Sequence, residues 1–247
     1  MTSVVAIVGA GPGDPGLLTV RARELIDAGE VFVLDALVSP EILDTLPAAA
    51  ERIDVGKRRG KHLAEQEEIN ALLVQLAQAG RRVVRLKGGD PLLFGRGGEE
   101  MQALKEAGVA YVVVPGVSAA IAGPAMAGIP VTHRDHAAAV TIVTGHECEE
   151  LARDPLRWRA MAESGHTLVI LMGLTHLGAI ASRLVTAGRP AETPVAVVQE
   201  ATTPRERSVT GTLADIAERV ANARITAPAV VVVGNVVSLA KELAWRT

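Results

Sequence analysis

Short runs of consecutive apolar residues alternate along the chain with longer segments in which apolar residues recur every three or four positions. The short runs, rich in valine and isoleucine, are typical of strands buried on both faces, and the longer segments are typical of amphipathic helices. Strand followed by helix, repeated along the chain, predicts a mainly parallel sheet. In the first half we predict strands at residues 4–8, 31–34, 51–55, 83–86 and 111–114, and helices at 17–28, 40–46, 64–79, 99–107 and 115–127.

An irregular segment at residues 128–135 interrupts this pattern and separates the two halves of the chain. A later polar segment, 202–207, has the composition of a hairpin tip, so one strand of the second half is expected to run antiparallel. We therefore predict an α/β protein with two domains, residues 1–132 with a mainly parallel sheet and 133–247 with a mixed sheet. In the second domain strands are predicted at 140–144, 167–171, 195–198 and 229–233, and helices at 177–187 and 213–221.

Composition narrows the class of protein. With 49% hydrophobic residues, 21% charged residues and a net charge of -3, the chain carries no overall attraction for nucleic acid or acidic membranes. No apolar run approaches the roughly 20 residues needed to span a bilayer, and no signal peptide is recognisable. The single cysteine, Cys148, allows no internal disulfide and fits a reducing compartment. We expect a cytoplasmic protein whose partners include neither nucleic acid nor membrane.

The stretch from Val83 to Glu100 contains the densest group of candidate functional residues. A predicted strand ends there in Gly88-Gly89-Asp90, and adjacent glycines allow the main chain to approach a ligand closely. Asp90 places a carboxylate at the carboxyl end of the strand, where ligands of open α/β sheets bind. A long turn without chemistry is the alternative interpretation, but long irregular connections in compact domains are usually functional.

The loop after the first strand invites comparison with a dinucleotide-binding fingerprint. Asp14 occupies the place of its third glycine, and Pro12 lacks a backbone N–H that a pyrophosphate would use. Asp35, at the end of the second strand, lies where a ribose-binding acid would be expected. A nicotinamide oxidoreductase therefore stays an alternative, while an uncharged or cationic ligand suits the loop better.

A basic run follows the third predicted strand, on the same rim of the sheet as Asp35, Asp90 and Arg96. Cations that converge there suit a polyanionic substrate, because they pair with carboxylates, although a solvated loop is the alternative. The histidines have no zinc-site spacing, so no metal ion is expected. The basic run comprises Lys57, Arg58, Arg59 and Lys61.

Sequence motifs spread over nearly the whole chain together resemble the uroporphyrinogen-III C-methyltransferases of the tetrapyrrole methyltransferase family. The first glycine loop alone is shared with other members and with related diphthamide and ribosomal RNA enzymes, whereas the long central motif and VGKR are more specific. The matching segments are 8–19 (VGAGPGDPGLLT), 37–40 (LVSP), 55–58 (VGKR), 66–70 (QEEIN), 84–91 (VRLKGGDP), 94–100 (FGRGGEE), 114–116 (VPG), 128–135 (GIPVTHRD), 143–146 (VTGH), 171–173 (LMG) and 226–229 (TAPA).

The resemblance implies a homodimeric enzyme that binds S-adenosylmethionine in a cleft between its two domains, with S-adenosylhomocysteine as product. It implies two methyl transfers to pyrrole carbons of uroporphyrinogen III, giving precorrin-1 and then precorrin-2. Asp35 and Lys57 are implied as catalytic residues, and Arg58, Arg59, Lys61 and Arg96 as substrate-binding residues. The implied cofactor-binding residues are Pro12, Gly88, Gly89, Asp90, Leu93, Ser118, Ala119, Met172, Ala201 and Ala229.

Two departures from the family pattern lie near the expected substrate. Leu34 and Ala36 flank Asp35 where the family has tyrosine and arginine, and His136 replaces another tyrosine. The alternatives are therefore another precorrin C-methyltransferase, or a catalytically weak homologue that binds the cofactor or a tetrapyrrole. The sequence leaves open whether the product is used for sirohaem or cobalamin.

Overall fold

The structure, a computed structural model, describes residues 4–56, 66–145 and 155–245. Two compact units divide the chain, Met1–Ser118 and Ala119–Thr247. This division falls earlier than the one predicted after residue 132. The reason is that the small-residue helix at Ala119–Met126 packs against the strands of the second unit, and so belongs with it.

The first unit is built around a parallel five-stranded sheet, as the alternation of strand and helix predicts. Its order is β3-β2-β4-β1-β5, with β1 between β4 and β5, and every pairing is parallel. The strands are β1 (Val4–Gly9), β2 (Val31–Leu34), β3 (Glu51–Asp54), β4 (Val83–Lys87) and β5 (Ala110–Val114). The helices described in this unit are α1 (Val20–Asp27), α2 (Pro40–Leu43), α3 (Gln66–Gln78) and α4 (Gly97–Glu106), with a short 3-10 helix at Pro15–Leu17.

Helices cover both faces of this sheet, since interior strands such as β1 and β2 are apolar and buried on both faces. Successive strand residues point to opposite faces, so Ile7 packs toward α3 and α4 while Val8 packs toward α1 and α2. The same alternation puts Arg85 and Lys87 on the face of β4 that α4 covers. Two cations therefore enter a largely apolar layer.

The second unit contains a mixed five-stranded sheet in the order β6-β7-β10-β8-β9, which confirms the predicted mixed class. Strand β6 runs parallel to β7, and the other pairings are antiparallel, including the hairpin of β8 and β9 that the polar segment predicts. The strands are β6 (Val140–Thr144), β7 (Thr167–Leu171), β8 (Pro194–Gln199), β9 (Arg207–Thr212) and β10 (Ala229–Val233). The helices are α5 (Ala119–Met126), α6 (Pro155–Glu163), α7 (Leu177–Thr186) and α8 (Ile216–Asn222), with 3-10 turns at Leu174–His176 and Asn235–Ala240.

No helix within residues 4–56, 66–145 and 155–245 combines the length and the apolar character that crossing a bilayer requires.

Candidate functional site

The two glycine loops of the first unit lie side by side at the carboxyl edge of its sheet. Gly11 and Gly89 exchange a pair of backbone hydrogen bonds, N–O 3.2 and 2.7 Å, and Ala10 N donates to Lys87 O at 2.7 Å. Both glycines have positive φ, 75° and 68°, which other residues adopt at a cost. The turn after β1 and the turn after β4 therefore form one joined surface of main chain.

A third glycine, Gly116 after β5, completes this surface. A Cβ on Gly9 would lie 2.5 Å from Gly116 N and 2.7 Å from Gly89 O, closer than real Cβ atoms approach. A Cβ on Gly116 would collide with Gly89 O. Backbone packs directly on backbone here, so these positions have no room for any side chain.

The turn at Gly88-Gly89 is closed beside Gly88 and open beside Gly89. A Cβ on Gly88 would lie 2.7 Å from the Cβ of Leu37, so this residue is closed off on that side. At Gly89, by contrast, the nearest atom to an added Cβ would be Ser118 Cα at 3.9 Å. Space therefore lies beside the Gly89 main chain, next to Ser118, as a ligand held by backbone groups requires.

Asp90 ties the joined loops together. Its Oδ1 accepts a hydrogen bond from Leu92 N at 2.8 Å, and its Oδ2 accepts one from Gly116 N at 3.1 Å. The sequence suggests that this carboxylate could meet a hydroxyl or ammonium group of a ligand. In the structure both oxygens bind main chain, which makes Asp90 a support for the turn.

Asp35 lies at the same edge of the sheet, at the end of β2, which is the strand next to the one that ends in Lys87. Its N–H donates to Leu86 O at 3.1 Å, and its Oδ1 accepts from Ala36 N at 2.8 Å. Further along this loop, Ser39 Oγ donates to Gly13 O at 2.6 Å. The loop after β2 is thus fastened to the first glycine loop, and it holds the half-buried Asp35 carboxylate near the Gly88 turn.

The segment between Asp90 and α4 carries two further predicted residues. Leu93 is half-buried, and Arg96 is exposed with φ 57°. The Arg96 guanidinium makes a bidentate pair with Glu99, at 2.8 and 2.7 Å. That hydrogen bonding holds the pKa of Glu99 below its usual range. A polyanionic substrate would have to compete with Glu99 for Arg96.

Sequence reasoning missed a buried ionic group beneath the turn. Glu100 Oε1 accepts hydrogen bonds from Arg85 Nε at 2.9 Å and from Lys87 Nζ at 2.8 Å. The sequence shows Lys87 as a residue that ends a strand and Glu100 as an acid in the first turn of a helix. The signal that could have found this group is the spacing of Arg85 and Lys87, which puts two cations on one face of a buried strand.

The second unit gathers three of its four predicted cofactor residues at one edge of its sheet. Met172 follows β7, Ala201 closely follows β8 and Ala229 begins β10. These strand ends adjoin, because Val230 pairs with Leu171 and Ala229 with Gln199. Met172 has φ 54° and is 49% exposed. The fourth predicted cofactor residue, Ala119, is the first residue of α5. This helix packs Gly123 against Val230 and Ala201.

Other sequence predictions concern residues that this structure leaves out. Lys57, proposed as catalytic, and the substrate-binding candidates Arg58, Arg59 and Lys61 lie outside the described residues. Elsewhere in the chain, the described histidine, cysteine, aspartate and glutamate side chains form no group of three that could hold a metal ion.

Comparison with known proteins gives consistent results. Residues 4–217 match the family described as tetrapyrrole (corrin/porphyrin) methylases. The S-adenosyl-L-methionine-dependent uroporphyrinogen III methyltransferase of Methanosarcina barkeri is 51% identical over 95% of this chain and 92% of that protein. Siroheme synthase 2 of Aeromonas hydrophila is 52% identical over 98% of this chain, which spans 50% of that relative's length.

A solved structure agrees with these relatives. It is the uroporphyrin-III C-methyltransferase of Thermus thermophilus complexed with S-adenosylhomocysteine. That structure superimposes with a TM-score of 0.80 at 38% identity, and the match covers 96% of this chain and all of that one.

Proposed function

Because this chain belongs to the tetrapyrrole methylase family, we propose that it is an S-adenosylmethionine-dependent methyltransferase acting on uroporphyrinogen III. It methylates two pyrrole carbons, giving precorrin-1 and then precorrin-2. The observation that carries the proposal is the 51% identity to the Methanosarcina uroporphyrinogen III methyltransferase over most of both chains. The joined glycine turns and the space beside Gly89 support it independently.

The cofactor is S-adenosylmethionine, whose sulfonium supplies an electrophilic methyl group. In the first unit, the Gly88-Gly89 main chain offers the close approach that a nucleoside needs, and Asp90 keeps that main chain in place. With aromatic residues at 2% of the chain, backbone and aliphatic groups hold the adenine. The proposed cofactor-binding residues are Pro12, Gly88, Gly89, Asp90, Leu93 and Ser118 in the first unit, and Ala119, Met172, Ala201 and Ala229 in the second.

The reaction forms a carbon–carbon bond to the methyl group as its bond to sulfur breaks, and a proton is then lost from the methylated ring or a neighbouring methylene. Asp35 is the proposed proton acceptor, since its carboxylate stands at the carboxyl edge beside the Gly88 turn. Lys57 donates a proton or anchors a side-chain carboxylate of the substrate. Arg58, Arg59, Lys61 and Arg96 bind the other carboxylates. Most of the rate enhancement comes from alignment of donor and acceptor carbon.

Assembly and location are further parts of this proposal. We propose a homodimer, as the family resemblance implies. A cytoplasmic location fits the single cysteine.

The test is incubation of the protein with uroporphyrinogen III and S-adenosylmethionine, followed by mass measurement of the tetrapyrrole. Addition of one and then two methyl groups, with matching release of S-adenosylhomocysteine, is the expected result. Methylation of a later precorrin in place of uroporphyrinogen III would contradict the proposed substrate. Binding of S-adenosylmethionine without any methyl transfer would identify a catalytically silent homologue.

A further inference from the structure

Three charged side chains lie inside the first unit where the sheet meets α4. The side chains of Arg85, Lys87 and Glu100 are 3%, 2% and 0% exposed. Charges removed from water in this way are costly unless they are paired and hydrogen-bonded. Apolar residues of similar size would fill the same space, so the group invites an explanation beyond packing.

The pairing in this group is uneven. One oxygen, Glu100 Oε1, accepts from both Arg85 and Lys87, while Glu100 Oε2 is buried and has no hydrogen-bond partner among the described residues. Arg85 also donates to Val33 O at 3.3 Å, so it has a second anchor in the sheet. For Lys87 Nζ, the described hydrogen bond is the one to Glu100.

The position of Lys87 distinguishes it from Arg85. Lys87 is the last residue of β4 and directly precedes Gly88-Gly89, whereas Arg85 lies two residues back within the strand. Glu100 belongs to the first turn of α4, where the segment that begins at Gly88 ends. The Lys87–Glu100 pair therefore joins the two ends of the segment that carries Gly88, Gly89 and Asp90.

The main chain of Lys87 is fastened as well. Its carbonyl oxygen accepts from Ala10 N at 2.7 Å, next to the Gly11–Gly89 pair of hydrogen bonds. A change in the backbone conformation of Lys87 would therefore disturb the turn after β1 and the turn after β4 together. The negative charge of Asp35 also acts on the Lys87 ammonium group and favours its protonated form, which raises the pKa of Lys87.

We propose that Lys87 is a positioning residue, which through its buried pair with Glu100 fixes the Gly88-Gly89 turn in the geometry that binds the cofactor. The inference rests on the proposed function for the identity of that ligand. The inference goes beyond the proposed function because it assigns a role to Lys87, a buried side chain that does not itself touch substrate or cofactor. Glu100 shares this role as the anchor on α4.

The decisive comparison is between Lys87→Met and Arg85→Met. Each removes one buried cation that pairs with the same oxygen of Glu100, from the same strand and the same face. A merely structural role predicts equal effects of the two changes on cofactor binding. A positioning role predicts that Lys87→Met raises the Kd for S-adenosylhomocysteine roughly tenfold or more, while Arg85→Met leaves it near the wild-type value.

Amide hydrogen exchange of the unliganded proteins gives a second readout. The Gly89 amide donates to Gly11 O, so its exchange rate reports on the turn itself. We expect faster exchange at Gly89 in Lys87→Met than in Arg85→Met when both are compared at equal global stability. Equal exchange at Gly89, together with equal Kd values, would overturn the inference.

Glu100→Gln serves if Lys87→Met does not fold. It keeps the shape of the side chain and an acceptor oxygen but removes the charge that holds Lys87, so a weakened affinity and faster exchange at Gly89 are again expected. Wild-type values for both would contradict the proposal. If the wild-type protein itself binds neither S-adenosylmethionine nor S-adenosylhomocysteine, the proposed function fails, while the exchange comparison still tests the role of Lys87.

Discussion

A Cβ atom on Gly9 would lie 2.5 Å from the backbone nitrogen of Gly116, so the end of β1 touches the loop after β5 main chain to main chain. Gly89 O lies against both glycines. This contact lets three loops converge with no side chain between them. It explains why glycine is needed at the end of β1 and in the loop after β5, independently of any ligand.

Gly116→Ala should therefore destabilise the protein by about 2–3 kcal/mol, because its methyl group would meet backbone atoms that cannot rotate away. Denaturant unfolding measures the change. The matched control is Gly98→Ala in the first turn of α4, where nothing lies within 4 Å of the added Cβ. There we expect no loss, or a gain of about 0.5 kcal/mol. Equal effects at the two sites would contradict the packing described.

The elements of the fold were predictable from the sequence because they follow from local patterns. Val4–Gly9 and Ala229–Val233 are nearly continuous apolar runs, and both are strands. The Gly88-Gly89 turn was also predictable, since paired glycines after a buried strand have few other uses.

Side-chain partners could not be predicted in the same way. The sequence does not reveal that Asp90 binds Gly116 N, because their proximity depends on β5 lying beside β1 in the sheet. Nor does it reveal that Glu100, rather than its neighbour Glu99, turns inward to Lys87. That choice depends on which face of α4 packs on the sheet, and either acid satisfies the preference for negative charge at a helix start.

Asp90→Asn should weaken both stability and cofactor binding. An amide keeps one acceptor oxygen, so one of the two backbone N–H groups of Leu92 and Gly116 loses its partner, at a cost of about 1–2 kcal/mol. Unfolding and calorimetric titration with S-adenosylhomocysteine measure the two effects. Asp14→Asn is the control, because Asp14 Oδ1 accepts from Gly16 N and asparagine caps a helix equally well. A wild-type affinity in Asp90→Asn would remove Asp90 from the site.

Asp35→Ala tests the proposed base. We expect kcat to fall roughly a hundredfold or more, with S-adenosylhomocysteine affinity unchanged, because proton removal would be lost while the glycine turns stay in place. Steady-state kinetics with uroporphyrinogen III measures this. Asp35 also accepts from Ala36 N, so Asp35→Asn, which can keep that hydrogen bond, separates the two roles. An unaltered kcat in Asp35→Ala would mean that the carboxylate serves the turn alone.

The buried cation Lys87 should make stability depend on pH. Burial and then the adjacent Arg85 lower the pKa of Lys87 from its ordinary 10.5, while Glu100 and Asp35 offset part of this. Between its folded pKa and 10.5 the unfolded chain holds a proton that the folded chain lacks, so the free energy of unfolding rises with pH in that window.

The free energy of unfolding of the wild-type protein minus that of Lys87→Met should accordingly increase as the pH rises toward 10.5. In an Arg85→Met background the growth should be smaller, because one of the two causes of the lowered pKa is gone. Urea unfolding at a series of alkaline pH values provides the measurement. If this wild-type-minus-variant value stays constant or falls with rising pH, burial does not disfavour the protonated form of Lys87.

The most direct test of the whole account is a crystal structure of this protein with S-adenosylhomocysteine bound. We predict the nucleoside beside Gly88-Gly89 and Ser118, held by main-chain groups, with its sulfur directed toward the edge where Asp35 stands. A nucleoside bound away from this turn, or no binding at saturating concentration, would contradict the assignment of the site.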